Sequence, residues 1–528
     1  MIKININLPL DYGAESIKDA VCARLPVERD EILELQLIKR SLNLNDKSNI
    51  FYDATVAVRT SPERERGLLK MRKTVSAYPS YEMKLPSVKW KCRPVVVGFG
   101  PAGIFASLFL CECGARPIVI ERGLDIDARD RLVAHFSRLG ELNTECNVQF
   151  GEGGAGAYSD GKLKVGAMDK YKMKVLRTLV EFGAPEEILF STTAHVGTDK
   201  LGGIVKKIRE RIISLGGEVH FSTRLTDIKI KDGTVCEVIA SSDGEKRSFD
   251  TDTVILATGH SARDVYELLL SKGASLERRG FGIGVRLEHP REHINELVYG
   301  KGYPECLESA SYHLVTHLKN GRSVYSFCMC PGGTVVPAAS ECGGIVTNGM
   351  SESARAGALS NAAFLVSVTP SDFPTDSALA GIDLQRSIER AAYSLTGSFR
   401  APAQRLEDFC QGESSKSLPI TPSYPVGTES FRAEEYLPDF ITDSLRASVA
   451  DFDEWMSGFY YPDAVMTGPE TRTTSPVRVM RKSSCECMGI GGLYPSGEGA
   501  GYAGGIISSA RDGLITAEQI ILKMSEKT

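Results

Sequence analysis

Residues 1–60 alternate before they repeat. Ile2, Ile4 and Ile6 fall at every second position, as on a half-buried strand, and Ile17, Val21 and Leu25 then fall at every fourth, as on one face of a helix. The run EILELQLIKRSLNLNDKSNIFYDATVAVRT reads as two strands joined at Asn-Asp-Lys-Ser. These spacings predict a small α/β domain over 1–60. Residues 61–92 carry mixed charge, prolines and little periodicity, and are read as a linker.

From Pro94 the pattern changes to strand, helix, strand. RPVVVGFG is a buried strand, Pro101 to Gly114 a helix, and RPIVIERG the next strand. DKLGGIVKKIRERIISLGG is an amphipathic helix, EVHF a short strand, and RLTDIKIKDGTVCEVIASSDGEKRSFD a three-stranded antiparallel meander with Lys-Asp-Gly and Ser-Asp-Gly turns. DTVILATGH returns as a buried strand. Residues 276–480 lose this alternation and read as an inserted α+β domain, with GFGIGVRLEH as a strand crossing between domains. The tail, 481–528, goes back to a strand, a glycine turn and a long helix. The doubly wound α/β domain is therefore discontinuous, built from 93–275 and 481–528.

A chain of 528 residues fits about three domains. The net charge of -5 and pI near 6.0 give no pull toward nucleic acid, and none is expected as a partner. The start lacks the apolar core of a signal peptide and no apolar run is long enough for a membrane span, so a cytoplasmic location is expected. The thirteen cysteines include no pair of C-x-x-C sites, so no metal site is expected.

The strand-to-helix junction at 95–110, VVVGFGPAGIFASLFL, fits G-x-G-x-x-G as Gly98, Gly100 and Gly103. Gly98 permits the tight turn, Gly100 lets a pyrophosphate approach the backbone, and Gly103 lets helix and strand pack closely. Pro101 suits the first helical turn, and the N–H groups from Ala102 onward face a diphosphate. Glu121, followed by Arg122, ends the next strand where a ribose-binding acid belongs. Three further stretches converge on the same reading: NVQFGEGGAGAYSDGKL at 147–163, ILATGH at 255–260 and YPSGEGAGYAGGI at 494–506.

FGEGGAGAYSDGKL, ATGHSARD, FCMCPGG, VTNGMS and LYPSGEGAGYAGGI together resemble a family of bacterial FAD-dependent dehydrogenases within the glutathione-reductase-like, two-dinucleotide-binding flavoprotein superfamily. The resemblance implies a Rossmann-like FAD/NAD(P)-binding domain carrying an inserted substrate domain, with FAD as cofactor. It implies that Gly98 to Gly103 hold the FAD diphosphate and Glu121 the AMP ribose, and that backbone near Leu225 meets the adenine. It places Thr258 and Gly259 in the dinucleotide crevice, and the loop from Gly154 through Ser159, Asp160, Gly161 and Lys162 beside the isoalloxazine. Glu498 stands where many relatives have an Asp bonding a ribityl hydroxyl. Gly501, Ala503, Gly504 and Gly505 open the final helix beneath the pyrimidine end, where a helix N-terminus stabilises negative charge on the reduced ring.

No second strand–glycine–helix unit is present, so electrons come from transient NAD(P)H, from a protein donor or from the substrate. The expected activity is hydride transfer between flavin N5 and a small organic substrate. Flavin-dependent RNA modification and a non-catalytic FAD-binding sensor or assembly protein are the alternatives. Candidate catalytic groups are His260, which follows the ATG turn, and Cys328 and Cys330, which share one face of a strand if that strand is regular. Inert thiols are the ordinary reading of such a pair.

Overall fold

The computed structural model describes residues 1–71, 73–79, 81–83, 86, 88, 90–163 and 167–525. The chain forms two compact units, one of residues 1–84, 162–196 and 299–308, the other of 85–161, 197–298 and 309–528.

The smaller unit centres on a four-stranded antiparallel sheet in the order Glu34–Asn43, Phe51–Arg59, Ile2–Leu8, Val75–Ala77. Ile2, Ile4, Ile6 and Leu8 point inward on the alternation read from the sequence and pack on Val21 and Leu25 beside the helix Ala14–Arg24. Segment 162–196 joins the same unit through Arg40. The Arg40 N–H donates to Phe190 O at 2.7 Å, and its guanidinium lies over the rings of Tyr52 and Phe190.

Part of the expected linker is regular structure. Pro62–Leu68 is a helix capped by the Ser61 hydroxyl, which accepts the Arg64 N–H, and Val75–Ala77 is a sheet strand. The charged, exposed faces of both pieces hid a pattern carried only by Leu68 and Val75.

The larger unit contains a five-stranded parallel sheet in the order Leu493–Pro495, Val254–Leu256, Val95–Val97, Ile118–Ile120, Glu218–His220. One strand comes from the tail, so the sheet is discontinuous in sequence. The helices Pro101–Glu112 and Ile506–Ser525 pack so closely that a Cβ on Gly513 would lie 2.2 Å from Ala102 O. The meander of Thr223–Lys231, Thr234–Ser242 and Glu245–Asp250 is the expected three-stranded sheet.

Leu276–Arg278 pairs antiparallel with Val477–Val479, and between them the chain builds a seven-stranded sheet. Phe281–Pro290, read as a strand crossing between domains, is instead its central strand, flanked by Leu359–Val368 and Val465–Glu470. Both its faces are buried, so Arg286, Glu288 and His289 are enclosed along with Phe281, Ile283, Val285 and Leu287. Among the described residues no helix is long and apolar enough to cross a membrane.

Candidate dinucleotide site

All five parallel strands point the same way, so their carboxyl ends deliver Gly98, Glu121, Phe221, Ala257 and Ser496 to one edge. The strand order reverses at Val95–Val97, where open α/β sheets leave a crevice. Gly98 turns there at φ +96°, and a Cβ on it would lie 2.5 Å from Ala257 O. A Cβ on Gly103 would lie 2.0 Å from Gly98 O, so the helix sits directly on the turn. Gly100 caps that helix in extended backbone, Pro101 is its first residue, and Ala102 is buried against Gly497 and Gly513. The first N–H groups of the helix have no intrahelical acceptor.

Glu121 is buried, and its carboxylate accepts three backbone N–H bonds, from Phe99 at 2.8 Å and from Gly123 and Gly151 at 2.9 Å each. It joins the first glycine turn to the second glycine loop. A carboxylate has about four lone-pair sites, so one remains for a further donor. Arg122 stands over the Phe150 ring and pairs with Asp264.

The second glycine loop is shaped by Arg129, which the sequence did not single out. This fully buried guanidinium donates to the carbonyls of Asn147, Val148, Gly151 and Glu152 at 2.6–3.3 Å. Burial lowers its pKa. The loop so formed lays Gly154 against Gly100, where a Cβ on Gly154 would come within 2.9 Å of the Gly100 Cα. Ser159 closes a local turn by accepting the Gly161 N–H at 3.0 Å. Asp160 is fully buried and pairs with Arg355 through both carboxylate oxygens. Lys162 belongs to the smaller unit, where it bridges to His195. Leu225 is buried in the core beneath the meander, just before a bulge in its strand.

Thr258, Gly259 and His260 follow the strand Val254–Leu256. Among the described residues, the Cβ position of Gly259 meets nothing within 4 Å, and the same holds for Gly505 at the start of the final helix; that of Gly504 meets only a Thr474 methyl at 3.9 Å. Three glycines thus line open space at this edge. His260 Nδ1 lies 3.3 Å from Glu498 Oε1, and its buried Nε2 has no hydrogen-bond partner among the described residues. The Gly501 carbonyl accepts from Arg279 at 2.6 Å. Asp512, also unforeseen, holds the Ser496–Gly497 turn by accepting the Gly497 N–H at 2.7 Å while paired with Arg481.

Arg263, three residues beyond His260, lies in a buried network. Its guanidinium donates to both Glu389 oxygens and to Gln385, and Arg472 binds the same carboxylate. The two guanidiniums hold the Glu389 carboxyl well below its usual range against the opposing effect of burial.

A glycine cradle and free helix N–H groups at the carboxyl edge of a parallel sheet define a dinucleotide-binding site of Rossmann type. Residues 280–473 match the family described as "FAD-dependent protein, C-terminal domain-like". An "Uncharacterized protein" of Clostridium beijerinckii is 44% identical over 528 residues, 98% of each chain. The chain belongs to this bacterial FAD-dependent family, and FAD is its cofactor. Among solved structures it is similar to the E. coli quinol fumarate reductase FrdA at 12% identity and TM-score 0.37, covering 83% of this chain and 70% of that one. A glycerol-3-phosphate dehydrogenase from Bacillus halodurans complexed with FAD aligns at 10% identity and TM-score 0.37, covering 83% and 65%. Likeness at this level says nothing of the reaction.

Proposed function

We propose that the protein is an FAD-dependent oxidoreductase acting on a small organic substrate. Bound FAD supplies hydride transfer at its N5. The observation that carries the reading is the single edge at which the glycine cradle, the three open glycines and the unpartnered His260 Nε2 meet. Gly98, Gly100 and Gly103, with the N–H groups at the start of the helix Pro101–Glu112, hold the diphosphate. Glu121 offers its remaining lone pair to the AMP ribose, and the backbone near Leu225 meets the adenine. Thr258 and Gly259 form one wall of the crevice. Ser159, Asp160 and Gly161 would lie beside the isoalloxazine, with the Asp160 charge neutralised by Arg355.

Glu498 has a role on each oxygen. Oε1 lies 3.3 Å from the imidazole Nδ1, and Oε2 faces a ribityl hydroxyl. With Glu498 beside Nδ1, Nε2 is the ring nitrogen that exchanges a proton with the substrate. Gly501, Ala503, Gly504 and Gly505 leave the N-terminus of the final helix bare, and its positive end stabilises charge on the reduced ring.

The test is the visible spectrum of the purified protein, taken anaerobically before and after NADPH. The expected result is a flavin absorption retained through purification. Bleaching on NADPH assigns a nicotinamide donor; persistence assigns a reduced substrate or a protein donor. A colourless protein that takes up no added FAD overturns the reading.

A further inference from the structure

The strand Ser323–Cys330 carries a distortion at its end. It pairs with Leu359–Val368 in register as far as Phe327 opposite Ala363, and pairing resumes with Cys330 opposite Asn361. One extra residue is therefore inserted, and Cys328 adopts φ +42°, a left-handed conformation that a residue with a Cβ rarely takes. In a regular strand, residues two apart stand about 6.5 Å from each other, too far for their thiols to touch readily. The bulge removes that separation. The Cys330 thiol folds back on Cys328 and donates to the Cys328 carbonyl at 3.3 Å.

The two sulfurs differ in access and share one cation. Cys328 is partly exposed and Cys330 is buried. The Arg286 guanidinium donates to the Cys328 carbonyl at 2.8 Å and lies 3.8 Å from the Cys330 sulfur. Gly349 makes room for this packing, since a Cβ there would lie 2.9 Å from the Cys330 sulfur and 2.6 Å from Arg286 Nη1. The second C-x-C stretch is arranged otherwise. Cys485 and Cys487 are both buried, and the Cys487 thiol donates to the Met488 carbonyl at 3.5 Å.

We propose that Cys328 and Cys330 are a second redox centre, a dithiol that closes to a disulfide by exchange with a low-molecular-weight disulfide. Cys328 is the attacking sulfur because it is the accessible one; its thiolate is stabilised by the Arg286 guanidinium, which is held on the Cys328 carbonyl. It gives its proton to solvent and displaces one thiolate from the oxidant, forming a mixed disulfide. Cys330 then loses its proton, attacks Cys328 Sγ and expels the second thiolate. Two thiols and one small disulfide become one protein disulfide and two small thiols, and two electrons pass to the oxidant. The proposal does not depend on the flavin reading.

The test uses the full chain, reduced, freed of reductant and incubated with oxidised glutathione. Acid quenching, proteolysis and mass spectrometry then locate the modified cysteines. The expected result is a Cys328–Cys330 disulfide and the loss of both thiols from the titratable count. Cys330→Ser is expected to trap one glutathione on Cys328, and Cys328→Ser to leave Cys330 unmodified. The proposal is overturned if Cys328 and Cys330 both remain thiols once the exposed Cys92, Cys236, Cys306 and Cys342 have reacted. It is equally overturned if folded Cys330→Ser protein carries no glutathione on Cys328. The wild-type measurement stands even where a variant fails to fold.

Discussion

In the parallel sheet, the three central strands Val254–Leu256, Val95–Val97 and Ile118–Ile120 are three residues long and wholly apolar. In the antiparallel sheet, the central strand Phe281–Pro290 is ten residues long and buries Arg286, Glu288 and His289, with Glu470 on its neighbour. The first sheet carries its chemistry beyond its strand ends, in loops whose backbone N–H groups face outward. The second carries ionisable groups within the sheet, where each needs a partner because water cannot reach it. A site at strand ends can be entered by a ligand. A polar network inside a sheet is satisfied by the protein itself, so it sets stability and local charge.

The largest expected effect falls inside the antiparallel sheet. Arg286→Met removes the partner of Glu470 and of two Asn carbonyls, and is expected to cost about 3–5 kcal/mol in denaturant unfolding. Adding Glu470→Leu is expected to restore most of that loss, since the orphaned charge leaves with its partner. If the double variant is no more stable than the single one, the pair is not the unit that matters.

Glu288 and His289 are adjacent and titrate in opposite senses. Burial holds the His289 imidazole down at about 4, with Nε2 bonded to Phe459 O at 3.0 Å and His293 nearby. Burial pushes the Glu288 carboxyl up to about 7, opposed by bonds from Ser423. Between about 4 and 6.5 the unfolded chain takes a proton on His289 that the folded chain refuses, so its contribution to stability is lost as pH falls. Between 4.5 and about 7 the folded chain keeps a proton on Glu288 that the unfolded chain releases, so its contribution is lost as pH rises. The two slopes oppose each other across the overlap. His289→Gln is expected to expose the Glu288 slope and Glu288→Gln the His289 slope, each amounting to about 3 kcal/mol over its window. Unfolding midpoints measured from pH 4.5 to 7 check both; parallel profiles for the two variants would contradict the assignment.

The smallest effects sharpen the difference within the parallel edge itself. Gly103→Ala drives a Cβ to 2.0 Å from a backbone oxygen and is expected to destabilise the fold by about 2 kcal/mol or more. Gly259→Ala meets nothing within 4 Å, so only its φ of +72° is costly, at about 1 kcal/mol. Its larger expected effect is on FAD, whose affinity should weaken because the new methyl enters the crevice. FAD titration of the apoprotein beside an unfolding curve separates the two; unchanged FAD affinity in Gly259→Ala would remove that wall from the cofactor site.

Periodicity and turn chemistry made the two sheets of the FAD region, the N-terminal sheet and the glycine turns legible, because each is written in neighbouring residues. The antiparallel sheet was harder: Phe281, Ile283, Val285 and Leu287 alternate as on a strand, but such an alternation does not show which neighbours the strand pairs with. Helix Pro62–Leu68 and strand Val75–Ala77 were missed because few of their residues are buried.

The sequence by itself determined the cofactor class, since Gly98, Gly100, Gly103 and Glu121 stand at spacings set by one strand, one turn and one helix. Only the tertiary structure decided what surrounds them. It gave Glu121 three backbone donors, set Arg129 within the second glycine loop, left His260 Nε2 without a partner among the described residues and folded the Cys330 thiol onto the Cys328 carbonyl at a bulge. The physical reason is range. A backbone turn is fixed by residues a few positions apart, whereas a buried polar group takes its partner from wherever the fold delivers one, as Arg263 takes Glu389 from 126 positions away.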